Sequence, residues 1–317
     1  MKTNLIFNQT YLNFPKNNLN FRGENFREYV GNIKLIHETS FFREPQTDEF
    51  VKEYLEETFL SKDIPINIAV GACSIGNEAY SQAMLYDEYT DKVNILGFDI
   101  GPKSIERAKK GVYLMQNLYT DTRTCISSDA YLVGGVVKTK KQKQYSELFD
   151  KYFARIPDGN PKDFESRSIF RGSVIFEKVY GLKDGMAKNC SFELGDIRKL
   201  DALMEDESAH CIFFRNALYH LVCADSMRRG SNRFLQDNSN EIIRDIATQA
   251  NKKLVDGGLF VFGENENRQG VNVKNVYRIM QECGFEPFNT KYRMTNSPNQ
   301  KLAYHESLYT NVWRKVG

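Results

Sequence analysis

The sequence predicts an α/β fold with a Rossmann-like sheet of parallel strands, and three observations support this prediction. Apolar runs at residues 66–70 and 93–98 have the length of buried strands. Each run is followed by a segment with helical periodicity, and this alternation favours parallel strands joined by right-handed crossovers. The first run also enters a turn that contains Gly71 and Gly76, which is typical of a strand end that presents its backbone to a ligand.

The remaining elements follow the same rules on either side of a different middle region. Helices are predicted over residues 44–60, 78–89, 103–110, 241–254 and 271–283, and further strands over residues 190–194, 210–214 and 259–262. An antiparallel strand pair at the sheet edge is predicted over residues 285–294 and 308–314. Residues 1–38 are interpreted as a short N-terminal leader with one or two helical turns near residues 21–36, and residues 39–317 as the main domain.

Between about residues 118 and 188 the alternation stops. This region combines a lysine-rich stretch, a helical segment through Leu148 and Phe153, a turn region, and strand-like residues 168–180. We interpret it as a small subdomain inserted on the ligand-facing side of the sheet. Its lysines are interpreted as a solvated face rather than a binding patch.

The composition argues against several classes of protein. The hydrophobic share of 41%, the charged share of 26% and the net charge of +2 are typical of a soluble globular chain and do not favour nucleic-acid partners. No apolar run is long enough to span a membrane, and residues 1–20 lack a signal-peptide core, so a cytoplasmic location without membrane insertion is expected. The 6 cysteines form no C-x-x-C pair and the 4 histidines are not closely spaced, so no metal site is predicted.

The turn after residues 66–70 favours a nucleoside ligand. Asn77-Glu78 follows the glycines where a P-loop has a lysine and then a serine or threonine, and the three-glycine dinucleotide pattern is absent. These departures leave a nucleoside ligand without a pyrophosphate, for which S-adenosylmethionine is the obvious candidate. Asp99 ends the second apolar run, where an acidic side chain suits the two hydroxyls of a ribose.

Polar side chains end successive strands of the predicted sheet, where open α/β sheets bind their ligands. They are Ser74, Glu78, Asp99, Asp196, Arg215, Asn216 and Glu264. We assign Asp99 to the ribose, Gly71 to close approach of the methionine portion, and Glu78 to the ammonium group of that portion. Asp196 and Ile197 are assigned to the adenine. A single residue of this kind can also stabilise the start of a helix, cap a turn or hold a loop in place. A shared ligand explains the whole set better.

A second group of residues, 37–43, places two phenylalanines between hydroxyl side chains and one arginine. By spacing alone, these are two core phenylalanines and a surface arginine. Together with later segments, however, they form motifs in a recognisable order. These are Thr39-x-Phe41-Phe42-Arg43, Gly71-Ala-Cys-Ser-Ile-Gly76-x-Glu78-x-Tyr80-Ser81, Gly97-Phe-Asp99-Ile, residues 108–113, Ile212-Phe-Phe-Arg215-Asn216, Gly257-Gly-Leu-Phe260 and Gly263-Glu264-x-Glu266. Over roughly residues 37–266 the chain resembles the CheR family, the chemotaxis-receptor glutamate methyltransferases that use S-adenosylmethionine.

The resemblance implies a seven-stranded methyltransferase sheet with an inserted antiparallel subdomain, for which residues 118–188 occupy the matching place. In the family this subdomain helps to dock a protein substrate, so a receptor-like signalling protein is the expected partner. The resemblance also implies cofactor contacts at eight positions. They are Thr39, Arg43, Glu78, Asp99, Asp196, Ile197, Arg215 and Asn216. Arg43 would further act at the reacting centre.

Three departures from the family pattern leave the methyl acceptor open. The family's Glu-Glu-Pro-Tyr-Ser run is Asn77-Glu78-Ala79-Tyr80-Ser81 here, and the leader is shorter than the family's helical N-terminal domain. The family's active-site tyrosine aligns with His220, one residue after Tyr219. We therefore assign Arg43, Tyr219 and His220 to catalysis and expect O-methylation of protein glutamate. The alternatives are N- or O-methylation of another acceptor with His220 as base, or a non-catalytic module that senses S-adenosylmethionine and binds a partner.

Overall fold

The computed structural model describes residues 28–30, 33–35, 41–42, 45–118, 140–160, 175–215, 217–218, 221, 239–263, 273–288 and 311–317. Its strands are β1 (Glu28–Val30), β2 (Ile33–Leu35), β3 (Ile66–Gly71), β4 (Val93–Asp99), β5 (Val112–Leu118), β6 (Phe153–Arg155), β7 (Ile175–Leu182), β8 (Cys190–Leu194), β9 (Ala209–Arg215), β10 (Leu254–Gly263), β11 (Phe285–Pro287) and β12 (Asn311–Lys315). Its helices are α1 (Pro45–Thr58), α2 (Asn77–Leu85), α3 (Pro102–Lys110), α4 (Lys140–Tyr152), α5 (Ser239–Lys253) and α6 (Val273–Glu282), with 3₁₀ turns at Leu60–Lys62, Asp87–Tyr89 and Ile197–Ala202. Within these ranges no helix has both the length and the apolar character needed to cross a membrane.

The main sheet confirms the predicted α/β fold. Its seven strands lie in the order β11-β12-β10-β9-β3-β4-β8. Strands β8, β4, β3, β9 and β10 pair in parallel, whereas β12 runs antiparallel to both β10 and β11. The chain moves outward from β3 to β4 and β8, and then continues on the other side with β9 and β10. Its direction therefore reverses between β3 and β9, and ligands of open α/β sheets bind at such a point, beside the carboxyl ends of the strands.

Helices cover both faces of this sheet, which explains why its strands are apolar runs. Along β9, Cys211 and Phe213 belong to the core on the side of α1 and α2, whereas Ile212 and Phe214 belong to the core on the side of α5 and α6. None of these four side chains is more than 2% exposed. Because both faces are buried, the carboxyl ends of the strands are where the sheet can present polar side chains to a ligand.

A second sheet, antiparallel and in the order β5-β7-β6, lies largely in the region predicted to be inserted. Helix α4, which precedes β6, packs on the segment before α1. The ring centroid of Phe41 lies 5.1 Å from that of Phe149 and 5.3 Å from that of Phe153, and Phe42 stacks on Tyr145 at 4.6 Å. These aromatic contacts connect the second sheet and its helix to the chain that leads into the main sheet.

Two local predictions are wrong. The leader forms antiparallel strands β1 and β2 instead of helical turns near residues 21–36. The signal was present in the sequence, since Gly31-Asn32 separates the two strand segments and is typical of a two-residue hairpin loop. The other error concerns Phe153, which begins β6 instead of continuing α4, because it pairs with Leu182 of β7.

Other predictions are not tested. Residues 168–174, 289–294 and 308–310 of the predicted strands lie outside the described residues. The limits of the main domain, residues 39–317, and of the inserted subdomain, residues 118–188, stay predictions.

Candidate functional site

The turn after β3 has an unusual backbone. Ala72, Ser74 and Gly76 have left-handed φ angles of 52°, 53° and 93°, a region that is unfavourable for residues with a Cβ atom. The Cys73 N–H donates to the Phe98 carbonyl at 3.1 Å, and the Gly76 N–H donates to the Cys73 carbonyl at 2.9 Å. The turn is therefore held across the carboxyl end of β4. Backbone strain of this kind is a feature of ligand-binding turns.

Asp99, the last residue of β4, joins three strand ends. Its carboxylate accepts hydrogen bonds from the backbone N–H groups of Ser74 and Gly101, both at 2.8 Å, and its carbonyl accepts one from Gly195 at 2.9 Å. The residue is 6% exposed. Each carboxylate oxygen has two lone pairs and can accept from a hydroxyl as well as from a backbone N–H. This geometry is what the predicted ribose contact requires.

Gly71 ends β3 beside the ring of Phe98. A Cβ atom at this position would lie 2.8 Å from Phe98 Cζ and 3.4 Å from Ile197 Cδ1. The glycine therefore lets the Phe98 ring pack against the end of β3. This packing is a reason for the glycine in addition to close approach of a methionine portion, which stays a prediction.

We expect Gly71→Ala to lower the free energy of unfolding by about 1–3 kcal/mol, because the new methyl group must displace a fully buried ring. Urea denaturation followed by circular dichroism would measure the change. Gly317→Ala is a matched control, since a Cβ atom there would meet its nearest neighbour at 3.7 Å. Equal stability of Gly71→Ala and the wild-type protein would show that the Phe98 ring can move aside without cost.

Glu78 belongs to a buried ion-pair cluster with Arg215 and Asp48. The Arg215 guanidinium contacts Glu78 Oε1 through Nε and Nη2, each at 2.7 Å, and its Nη2 lies 3.0 Å from Asp48 Oδ1. The side chains of Arg215 and Asp48 are each 1% exposed, whereas that of Glu78 is 12% exposed. The cluster joins α1, α2 and β9, and Glu78 is its most accessible carboxylate.

Asp196 and Ile197 lie where the chain leaves β8. The Asp196 carboxylate accepts hydrogen bonds from Arg198, at 2.9 Å from its backbone N–H, 3.0 Å from Nε and 2.6 Å from Nη2. Burial alone would raise the pKa of Asp196, but the hydrogen bonds from Arg198 outweigh it and lower this pKa below its usual value. Ile197 is buried in the same core cluster as Phe98, on the face of the sheet that α5 and α6 cover. An adenine amino group would thus share the Asp196 carboxylate with Arg198.

Several predicted site residues lie outside the described residues. They are Thr39, Arg43, Asn216, Tyr219, His220 and Glu264. Between Thr39 and Arg43, the side chains of Phe41 and Phe42 are each 1% exposed, as expected for core phenylalanines. The Phe42 N–H donates to Ser81 Oγ at 2.9 Å, so this segment is attached to α2.

Two residues of the candidate site were not predicted. Asp48 lies in the first turn of α1, where an acidic residue is ordinarily explained by the helix dipole, and its partner on β9 is distant in sequence. Arg198 could have been found, because an aspartate before a short helix predicts a cap that accepts from the residue two positions later. In both cases the missing residue is the charged partner of a predicted site residue, Arg215 for Asp48 and Asp196 for Arg198.

Comparison with known families identifies the first part of this site. Residues 37–130 match the family model described as CheR methyltransferase, SAM binding domain. The matched range includes β3, its strained turn, Glu78 and Asp99. Over this range the chain is similar to CheR-type S-adenosylmethionine-binding domains. Within the matched range, the buried Asp99 carboxylate at a strand end fits a ribose and the partly exposed Glu78 carboxylate fits an ammonium group, and outside that range the apolar Ile197 fits a purine.

The chain is distantly similar to two curated methyltransferases, one of which is named as a chemotaxis protein. The chain is 32% identical over 116 residues to the chemotaxis protein methyltransferase of Borreliella burgdorferi, which covers 28% of this chain and 41% of the relative. It is also 36% identical over 83 residues to a Pseudomonas putida protein named as the methyltransferase Cher3. This match covers 25% of this chain and 30% of the relative. The chain thus spans less than half the length of each of these relatives.

Solved structures of methyltransferases are similar at a lower level. The CurJ carbon methyltransferase has a TM-score of 0.46 at 9% identity, with 87% of this chain and 54% of that chain covered. Geranyl diphosphate C-methyltransferase from Streptomyces coelicolor has a TM-score of 0.41 at 8% identity, with 86% and 79% covered. The α/β fold rests on the strand order of the main sheet itself.

Proposed function

We propose that this protein is an S-adenosylmethionine-dependent methyltransferase and that its acceptor is a protein carboxylate, namely the side chain of glutamate. The observation that carries the proposal is the CheR match over residues 37–130, which includes the buried carboxylate of Asp99 at the end of β4, one strand from the switch point between β3 and β9. The names of the two curated relatives support the same class of reaction. A role in chemotaxis or another signalling pathway is part of the proposal.

When bound, S-adenosylmethionine supplies an activated methyl group on its sulfonium. In the proposal, Asp99 binds the ribose hydroxyls, Glu78 binds the ammonium group, and Asp196 and Ile197 bind the adenine. These contacts fix the orientation of the donor, which is the main requirement of an in-line displacement. Thr39, Arg43, Arg215 and Asn216 complete the binding site in this proposal, because the family resemblance assigns cofactor contacts to them.

A glutamate acceptor needs alignment rather than a base, because its carboxylate is already ionised at neutral pH. We assign this alignment to Arg43, whose guanidinium can bind a carboxylate through two hydrogen bonds. In sequence, His220 aligns with the family's active-site tyrosine and Tyr219 precedes it by one residue, and we assign one of them to hold the acceptor by a hydrogen bond. No proton has to leave the acceptor in this reaction.

His220 favours a second candidate function. An amine, hydroxyl or thiol acceptor must lose a proton on methylation, and histidine is the side chain best suited to accept it near neutral pH. Under this alternative the protein methylates a nitrogen or oxygen of another acceptor. A non-catalytic sensor of S-adenosylmethionine would need the same binding residues but no base.

The proposed protein partner would bind on the sheet β5-β7-β6 and α4, which correspond in part to the predicted insertion. Tyr145 and Phe149 of α4 contact Phe42 and Phe41, next to the proposed catalytic Arg43. A partner on this sheet would therefore lie close to the chain that carries Arg43. This proximity supports a protein acceptor over a free small molecule.

We expect lysate protein to become labelled when the wild-type protein is incubated with methyl-labelled S-adenosylmethionine, and mild alkali to release the label as volatile methanol. A carboxyl methyl ester hydrolyses under these conditions, whereas N-methyl groups and ethers do not. The Asp99→Ala variant is the negative control.

His220→Tyr should retain transfer if His220 only holds the acceptor by a hydrogen bond. Alkali-resistant label would contradict the carboxylate acceptor and favour His220 as base, and cofactor binding without any transfer would favour the sensor.

A further inference from the structure

The buried cluster of Asp48, Arg215 and Glu78 divides one guanidinium between two carboxylates. Arg215 Nη2 is shared, at 2.7 Å from Glu78 Oε1 and 3.0 Å from Asp48 Oδ1. Asp48 comes from α1 and Glu78 from the first turn of α2, so the two carboxylates approach Arg215 from different elements. Arg215 Nε also lies 2.7 Å from Glu78 Oε1, so both nitrogens contact the same oxygen of Glu78. In the parallel arrangement of a guanidinium and a carboxylate, each nitrogen would instead have its own oxygen.

Asp48 is itself held in place. The Gln82 amide donates to Asp48 Oδ1 at 3.2 Å, and Asp48 lies in the first turn of α1, where the helix dipole favours a negative charge. The phenyl ring of Phe213 lies 5.1 Å from the Arg215 guanidinium carbon and limits its movement on the strand side. Asp48 and Phe213 thus help Glu78 to fix the position of the guanidinium.

We propose that Asp48 is a positioning residue for the amino-acid portion of the cofactor: by holding one end of Arg215, it keeps the Glu78 carboxylate able to bind an ammonium group. Without Asp48, Nη2 of Arg215 could move from Glu78 Oε1 to the second oxygen of that carboxylate and compete there with the ligand. The burial of the cluster strengthens this competition, because charges interact more strongly away from water. The inference rests on the proposed function, since it assumes that Glu78 binds the ammonium group of S-adenosylmethionine.

Two ligands that differ in the amino-acid portion test this role. S-adenosylhomocysteine carries the amino-acid portion with its ammonium and carboxylate groups, whereas 5′-methylthioadenosine has the same adenosine and thioether but lacks this whole portion. We expect Asp48→Asn to weaken binding of S-adenosylhomocysteine by about tenfold or more and to leave binding of 5′-methylthioadenosine within about twofold. Isothermal titration calorimetry at constant ionic strength measures both. Asp63→Asn, which removes the carboxylate of an exposed pair with Lys92, is the matched control and should change neither affinity.

A double-variant cycle shows whether Asp48 acts through Glu78. In a Glu78→Gln background, adding Asp48→Asn should cause no further loss of S-adenosylhomocysteine affinity, because the carboxylate that Asp48 protects is gone. Equal losses for both ligands in Asp48→Asn, or unchanged affinities in the folded variant, would overturn the proposal. If Asp48→Asn does not fold, Gln82→Met removes the amide contact to Asp48 alone. It should then give a smaller loss for S-adenosylhomocysteine only, and no loss would overturn the proposal.

Failure of the proposed function gives a different result. If the protein does not use this cofactor, the wild-type protein binds neither ligand. If it binds both ligands without preferring the one with the ammonium group, the assignment of Glu78 to the ammonium group is wrong. The positioning role of Asp48 is then wrong as well.

Discussion

Asp99→Ala is expected to weaken S-adenosylmethionine binding by about 100-fold or more. Two hydroxyl hydrogen bonds to a carboxylate contribute about 1.5–3 kcal/mol each, and both would be lost. The same carboxylate accepts the backbone N–H groups of Ser74 and Gly101 at 2.8 Å, so the variant also releases the strained turn from β4. The affinity for S-adenosylmethionine and the order of the turn after β3 should therefore decrease together.

Asp99→Asn separates these two effects, because the amide keeps one oxygen acceptor for the turn. Its affinity should lie between those of the wild-type protein and Asp99→Ala, with a smaller change in melting temperature. Asp91→Asn provides the matched control, since Asp91 is an exposed carboxylate just before the opposite end of the same strand. Calorimetric titration with S-adenosylhomocysteine measures the three affinities. A folded Asp99→Ala protein with wild-type affinity would refute the ribose assignment.

Arg215→Gln is expected to cause the largest loss of stability, about 3–5 kcal/mol, because it leaves Asp48 and Glu78 buried without their shared cation. The pair is far from solvent, with Arg215 and Asp48 side chains each 1% exposed. Denaturant unfolding would measure the loss. The glutamine retains hydrogen-bond donors, so the effect reports mainly the missing positive charge.

Removing a negative charge should partly restore the stability of this variant. We expect the double variant Arg215→Gln/Asp48→Asn to be more stable than Arg215→Gln alone, which is a strongly non-additive result. Arg244→Gln is the control, because Arg244 and Glu282 form an exposed pair, with side chains 44% and 39% exposed. Exposed pairs contribute little to stability. If Arg215→Gln were as mild as Arg244→Gln, the buried cluster would not be a determinant of folding.

The elements that the sequence predicted well depend on local periodicity and on turn chemistry. The apolar runs became β3 and β4 within one residue, because strands buried on both faces are recognisable without their partners. Asp99 was identified for a related reason: it follows a strand directly, and parallel strands of one sheet place their carboxyl ends at one edge. The hairpin of β1 and β2 was missed although Gly31-Asn32 indicated it, so that error was one of interpretation.

The sequence by itself thus determined the α/β class, the cofactor, and the strand ends to which we assign the cofactor contacts. Only the tertiary structure decided which charges those residues meet. Asp48, Glu78 and Arg215 come from three elements whose mutual placement depends on packing of the whole core, and no local pattern connects them. Arg198 similarly donates to both oxygens of Asp196, the carboxylate that we assign to the adenine. The physical reason is that backbone periodicity is a local property, whereas the pairing of buried charges depends on which side chains the fold brings within hydrogen-bond distance.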